Sequence, residues 1–213
     1  MNAGPTERDL LAALRREGIS DAWLLGAVQA VARRSFVPES AVDRAYLDVP
    51  LETPHDQVTT QPSLVAKMLE SLELTGNERV LEVGTGYGWQ TALLACLARE
   101  VWSVERWPDL AETARQNLLR QGIAKATIVV GDGTEGLAAE APFGAILVSA
   151  AFTSVPPALA AQLAPGGRLV QPIGPRGRED VVLFERRPEG LVRRRTVTRA
   201  HFVRLVGRQG FSG

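Results

Sequence analysis

Apolar positions recur along this chain with two periods, and the switch between them divides it. Over residues 6–18, Leu10, Leu11 and Leu14 fall on one face of a helix that ends at Gly18. Over 20–34, Leu24, Leu25, Val28 and Val31 repeat the helical spacing. Next comes a stretch with four prolines, SFVPESAVDRAYLDVPLETPHDQVTTQP, with little periodicity; its Val, Leu and Tyr content predicts a packed loop rather than a disordered one. From residue 63 the pattern is regular. SLVAKMLESLEL predicts a helix, ERVLEVG a buried strand, WQTALLACLAR a helix and VWSVER a strand. PDLAETARQNLLRQG predicts a helix with Pro at its start and Gly at its end. ATIVVGDG and GAILVSA predict strands, PPALAAQLAPGG a helix and RLVQPIG a strand. The tail alternates apolar and polar residues, predicting a hairpin-like pair that turns at Pro188-Glu189-Gly190. The alternation runs on through HFVRLV, placing His201 on a sheet face.

Continuously apolar strands alternating with helices predict an α/β, Rossmann-like, doubly wound sheet that is mostly parallel and ends in an antiparallel C-terminal element. Residues 1–62 read as N-terminal helices with a substrate-side loop and 63–213 as the core, forming one compact domain; 213 residues suit that size.

Composition narrows the function classes. Aromatics are 6% of the chain, so the core is expected to be Ala, Val and Leu. Cys96 is the one cysteine and lies in an apolar helix, so it reads as a buried structural thiol and leaves no intrachain disulfide or Cys-rich metal site. Two histidines are too few for a typical zinc site, and no metal is expected. No window approaches the ~18 apolar residues of a membrane span. The N-terminus carries early charges instead of a signal-peptide core, so no membrane association and a cytoplasmic location are expected. A net charge of zero argues against nucleic-acid binding. From Pro175 onward, however, ten arginines face four acids: either a solvated sheet edge or a field favouring an anionic substrate.

The candidate chemistry begins at Leu81-Glu82-Val83-Gly84-Thr85-Gly86-Tyr87-Gly88, between a predicted strand and a predicted helix. Glycines there permit a tight turn and close ligand approach. Trp89 stands where a dinucleotide fingerprint has its last glycine, so a nicotinamide-dependent dehydrogenase is the weakest reading, and no Lys-Ser/Thr follows to make a phosphate loop. Glu105 ends the next strand, 17 residues beyond Gly88, where a carboxylate accepts from both ribose hydroxyls. Asp132 ends the third strand, at the position of an adenine edge.

This trio resembles class I S-adenosylmethionine-dependent methyltransferases. The resemblance implies a seven-stranded sheet and a site for S-adenosyl-L-methionine (product S-adenosyl-L-homocysteine) built from Glu82, Gly84, Thr85, Gly86, Gly88, Glu105, Arg106, Asp132 and Gly133. In it, Gly84 and Gly86 line the methionine moiety, Glu105 holds ribose, and Asp132 with Gly133 meets adenine. Base N-methyltransferases carry Asn/Asp-Pro-Pro-Tyr/Phe after the fourth strand, where this chain has SAAFTSVPP.

The blocks FVP at 36–38, AYLDVPL at 45–51, QVTTQP at 57–62, GDGTEGLAAEAPFGAILVSAA, LAPGGRLVQPIG and FVRLVG at 202–207 are similar to protein-L-isoaspartate O-methyltransferases over roughly residues 8–211. That implies an enzyme acting on peptides or proteins bearing isoaspartyl residues, with Thr60 donating to the acceptor carboxylate and Gln57 and Thr59 shaping the pocket. The family pattern P-L-P-I-G-x-G-Q-T-I-S-x-P reads here PLETPHDQVTTQP. Pro54 and Asp56 stand for glycines, Val58 for Thr and Thr60 for Ser, while Arg204 replaces a proline of the tail. Thr keeps the hydroxyl but stiffens χ1. These departures keep two other readings open: a carboxyl methyltransferase for one dedicated acceptor, or a cofactor-binding protein with little catalysis. Thr60 itself reads either as an acceptor ligand or as the cap of the helix starting near Pro62. His55 reads as an exposed loop residue or a substrate contact; Arg204 as a peptide-carboxylate ligand or an exposed arginine; Trp89 and Trp107 as core or as partners of adenine.

Overall fold

A computed structural model of the chain describes residues 4–175 and 177–212. Helix α1 (Glu7–Arg16) opens on a reciprocal cap: the Thr6 side chain accepts from the Asp9 N–H, and the Thr6 N–H donates to Asp9 Oδ2 at 2.7 Å. Helix α2 (Ala22–Ala30) is capped by the Asp21 carboxylate. The proline-rich stretch is more ordered than its pattern suggested. It makes two 3₁₀ turns, Arg33–Phe36 and Glu39–Arg44, then a small antiparallel hairpin of β1 (Leu51–Thr53) and β2 (Gln57–Thr59). Three-residue strands are too short to print a period on the sequence, which is why the hairpin was not legible there.

Helix α3 (Pro62–Ser71) leads into β3 (Arg79–Val83), α4 (Trp89–Leu97), β4 (Glu100–Glu105), α5 (Pro108–Arg120), β5 (Ala126–Val130) and β6 (Phe143–Val148). Then follow α6 (Pro157–Gln162), β7 (Leu163–Ile173), β8 (Glu179–Arg187) and β9 (Gly190–Ala200). The seven-stranded sheet has the order β5-β4-β3-β6-β7-β8-β9. Strands β3 to β7 are parallel, and β8 runs antiparallel to both neighbours, so the C-terminal pair supplies the expected reversal. Helix α6 is shorter than expected. The chain turns extended at Leu163, where a register shift between Phe143 and Ala145 accommodates the extra residues of Ala164-Pro165-Gly166-Gly167.

Alternation sorts the strands between two cores. Val80, Val101, Ala145, Leu147, Val170 and Val181 face helices α1 to α5. Leu81, Val83, Val104, Ile146, Val148 and Leu169 face α6 and the tail, with Leu159 and Leu205. The N-terminal helices belong to the first core through Leu10, Leu14, Leu24 and Val28. Beyond β9 the chain leaves the sheet and crosses its upper edge, so His201 is an exposed residue 3.6 Å from Glu179 rather than a sheet-face residue. Cys96 is half-buried, and burial raises its thiol pKa against the pull of Lys125. Among the described residues no helix is long and apolar enough to cross a membrane, and no group of His, Cys, Asp and Glu is placed to hold a metal.

Asp48 ties the irregular stretch to α3. Its carboxylate accepts from the Ser63 N–H at 2.8 Å and from Gln61 Nε2 at 3.0 Å, supplying from a distance the cap that Gln61 does not make. Asp48→Ala is expected to lower stability by about 1–2 kcal/mol, read as a shifted midpoint in urea denaturation with unchanged slope.

Candidate active site

Strand order reverses at β3, whose neighbours β4 and β6 are reached by connections leading opposite ways, so a crevice opens above its C-terminal end. The glycine turn lies there. Gly88 has φ 89° and a Cβ on it would stand 3.2 Å from Ala114 Cβ, so glycine lets α4 start against α5. A Cβ on Gly86, at φ 55°, would meet nothing within 4 Å, because that residue faces the open cavity.

Gly84, Thr85, Gly86, Gly88, Glu105, Arg106 and Gly133 all line one cavity, together with Gln57, Thr59 and Thr60 from the hairpin side. Glu105 is buried; its Oε2 accepts from the Gly86 N–H at 2.9 Å and its Oε1 from the Trp107 N–H at 3.0 Å. Each oxygen keeps a lone pair for a ligand hydroxyl. Arg106 is exposed, its guanidinium 4.9 Å from the Trp107 ring centroid.

Two residues of the expected site serve it from outside the cavity wall. Glu82 is fully buried beneath the turn, where it accepts from Gln90 Nε2 at 2.8 Å, from Ser103 Oγ at 2.6 Å and from Thr91 Oγ1. Ser103 is its partner in register across β3 and β4, and the Thr85 hydroxyl bonds Ser103 in turn. Asp132 is occupied by the tail: it accepts from Thr134 N and Oγ1 at 2.9 and 2.6 Å and from the Arg208 N–H at 2.7 Å. A side chain on Gly207 would strike that carboxylate, so Gly207 lets the tail close on it. Gly133, beside it, does line the cavity.

The hairpin forms a wall. Thr59 Oγ1 accepts from the Leu51 N–H at 3.1 Å and from Arg33 at 3.3 Å, so its hydroxyl sets hairpin geometry. Thr60 is half-buried on the wall and does not cap α3, a role Asp48 fills. At the tip, His55 and Asp56 take φ of 64° and 54°, the paired left-handed angles of a tight hairpin turn. Asp56 thus takes, as a non-glycine, an angle glycine adopts freely. The tip is fastened from outside: the His55 ring stacks on Trp107 at 3.9 Å and 5°, and its Nε2 lies 2.9 Å from Asp109. His55 is therefore a clasp joining the hairpin to the β4–α5 corner.

Several wall residues went unread in the sequence. Arg33 is buried, donates to the carbonyls of Ala45 and Leu47, and lies 5.2 Å over the Trp89 ring; burial pulls its pKa down to about 10, with Asp48 opposing. Gln90 and Ser149 also line the cavity, beside Trp89, which the sequence already offered as core or as a partner of adenine. One of two adjacent arginines after a helix carries no sign of burial, whereas Ser103 inside an apolar strand was a readable signal. A second cavity adjoins the first, sharing Val58, Thr60, Ser149 and Val203, and extends past Gln61, Lys67, Arg199 and His201. Arg204 is exposed at the rim of the first, 5.2 Å over Phe211.

A crevice above a reversing parallel sheet, a glycine turn after the first core strand and a buried carboxylate at the tip of the second define a methyltransferase of the Rossmann-like class. Comparison with known proteins narrows this. The family model described as protein-L-isoaspartate(D-aspartate) O-methyltransferase matches residues 5–210. The chain is 46% identical over 200 residues to the protein-L-isoaspartate O-methyltransferase of Methanoculleus marisnigri, covering 94% of this chain and 90% of that one. It is 51% identical over 164 residues to that of Myxococcus xanthus, 77% of each. A solved protein-L-isoaspartate O-methyltransferase superposes with a TM-score of 0.85 at 29% identity, over 96% of this chain and 67% of that one. A Plasmodium falciparum structure in complex with S-adenosyl-L-homocysteine shares the fold at a TM-score of 0.81 and 24% identity, covering 94% and 98% of the two chains. This chain belongs to the protein-L-isoaspartate (D-aspartate) O-methyltransferase family.

Burial lifts the Glu82 carboxyl from its ordinary 4.5 to about 7, against the lowering by Ser103, Thr91 and Gln90. Between those values the unfolded chain has released the proton that the folded chain keeps, so this group's contribution to stability falls as pH rises through the window and is then constant. Glu82→Gln removes the slope: from pH 4.5 to 7.5 the wild type is expected to lose up to about 3 kcal/mol relative to the variant, measured by urea denaturation across pH. His55→Ala releases the clasp, and protease cleavage at residues 54–56 is expected to rise severalfold in limited proteolysis with no change in the global unfolding midpoint.

Proposed function

We propose that this chain methylates the free carboxyl of L-isoaspartyl, and of D-aspartyl, residues in damaged proteins, with S-adenosyl-L-methionine as donor. The observation that carries this reading is the pair of adjoining cavities that meet at Thr60, one walled by the glycine turn and Glu105, the other open to a peptide. The first suits the donor. Trp89, Gln90 and Trp107 line that cavity, and each keeps one buried polar atom without a partner in the protein: Trp89 Nε1, Gln90 Oε1 and Trp107 Nε1. Glu105 would accept the ribose hydroxyls, Gly133 would meet adenine, and Gly84 and Gly86 would leave room for the amino-acid arm. When bound, the donor supplies a methyl group on a positively charged sulfur, open to attack by an oxygen.

The remaining work falls to this chain's side chains, and it is mostly placement. A carboxylate is already ionised at neutral pH, so no strong base is required. Its oxygen must be held in line with the methyl group and stripped of water. Thr60, at the junction of the cavities, can donate its hydroxyl to the acceptor carboxylate, while Gln57 and Thr59 shape the approach. The tail segment Val203–Val206 closes the top: the Leu205 N–H donates to the Ala151 carbonyl, and the Ala151 N–H to that of Val203, both at 2.8 Å. Asp132 works through that tail. The resulting ester closes to a succinimide with loss of methanol, and hydrolysis reopens part of it to normal aspartate.

Paired peptides differing only in isoaspartate or aspartate test the reading, with S-adenosyl-L-homocysteine quantified. Turnover is expected on the isoaspartyl peptide alone. Thr60→Val should lower kcat about 10- to 100-fold and Thr60→Ser should retain it. Equal turnover on both peptides would favour a dedicated aspartyl acceptor instead, and binding without turnover on either would leave a non-catalytic role.

A further inference from the structure

Gln90 is the second residue of α4 and is 8% exposed. Its Nε2 donates both hydrogens, to Glu82 Oε1 and to Ser149 Oγ, each at 2.8 Å. With Glu82 ionised those two bonds fix the orientation of the amide, because reversing it would set the amide oxygen against a carboxylate oxygen. Gln90 lines the first cavity, and its Oε1 atom is buried without a partner, a costly state for an acceptor.

Position and charge say which part of a ligand it awaits. The cavity runs from Glu105, Trp107 and Gly133 at one end to Ser149, Thr60 and Val203 at the other, where the second cavity begins. Ribose hydroxyls belong with Glu105, so the amino-acid arm extends toward Ser149 and Gln90. Behind the amide stands the Glu82 carboxyl, which polarises it and makes its oxygen a better acceptor for a cation. Arg33 and the Trp89 Nε1–H, on two further residues of the lining, are donors and cannot receive an ammonium group.

We propose that Gln90 is a positioning residue whose Oε1 accepts a hydrogen bond from the α-ammonium group of the donor's amino-acid arm, fixing that arm and with it the sulfur. The inference rests on the assignment of S-adenosyl-L-methionine as donor. Gln90 joins the turn, the Glu82 tie and the ligand in one chain of hydrogen bonds: Thr85, Ser103, Glu82, Gln90, ammonium.

The test is calorimetric titration at pH 8, above the value of about 7 to which burial lifts Glu82, with S-adenosyl-L-homocysteine and with its deaminated analogue, which lacks only the ammonium group. Wild type is expected to bind the amine-bearing ligand 10- to 100-fold more tightly, as for a hydrogen bond to a charged group. In Gln90→Met that gap should shrink to about twofold. Both variants keep Glu105 and Gly133, so binding of the deaminated ligand reports an intact site; Gln90→Ala serves if Gln90→Met does not fold. A gap that persists undiminished in the folded variants, or is absent in wild type, overturns the assignment of Gln90 while leaving the donor assignment standing. Failure of wild type to bind either ligand overturns the donor assignment itself.

Discussion

The upper edge of this fold hangs on a single buried carboxyl group. Glu82 stands on the apolar face of β3, under α4, where an unpartnered acid would cost several kcal/mol. Hydroxyls from Thr91 and Ser103 and the amide of Gln90 surround it, and each comes from an element that shapes the glycine turn. Through Ser103 the tie reaches Thr85 inside the turn, and through Gln90 it reaches Ser149 at the end of β6. Two neighbouring strands, one helix and the turn between them are thus held in register by one polar centre. A turn held this way needs no side chains of its own, so its glycines remain free to face the ligand.

The cover of the site follows a similar logic of distant ties. The hairpin has three residues per strand and little core of its own, so its tip is clasped by His55 on Trp107 and Asp109 and its base by Arg33. The tail is held by Asp132 at one point and by the Ala151 backbone at another. Both covers are fastened to strand tips or to the loops that follow them, the same rim that carries Glu105 and Gly133. Geometry at the reacting carboxylate is therefore inherited from the sheet. The substituted positions 54–60 fit this picture, since the backbone that glycines would allow is taken up by Asp56 and held by His55.

Much of this was legible in the residues. The strand–helix alternation from position 63 on, the turn at 84–88 and the acids at 82, 105 and 132 mark the fold, and the ordered blocks mark the family. The local signals failed where partners are far apart in the chain. Asp132 ends a strand, and nothing local shows that its carboxylate accepts from the Arg208 N–H, 76 residues away. His201 continues an alternating pattern, but the chain leaves the sheet at Ala200 to close over the site.

Periodicity and glycine placement act through neighbouring residues, so the chain alone determined the strands and helices of the core from residue 63 on, their order and the cavity's glycine floor. Which polar groups face the cavity and which are spent holding it is a matter of long-range packing. Glu82 and Glu105 are alike as carboxylates at the C-terminal ends of adjacent strands. One points into the core and must be satisfied by protein, the other points to the crevice and keeps lone pairs for a ligand. Only the stacking of α4 on β3 and β4 made that division, because burial, not residue type, decides whether an acceptor is available.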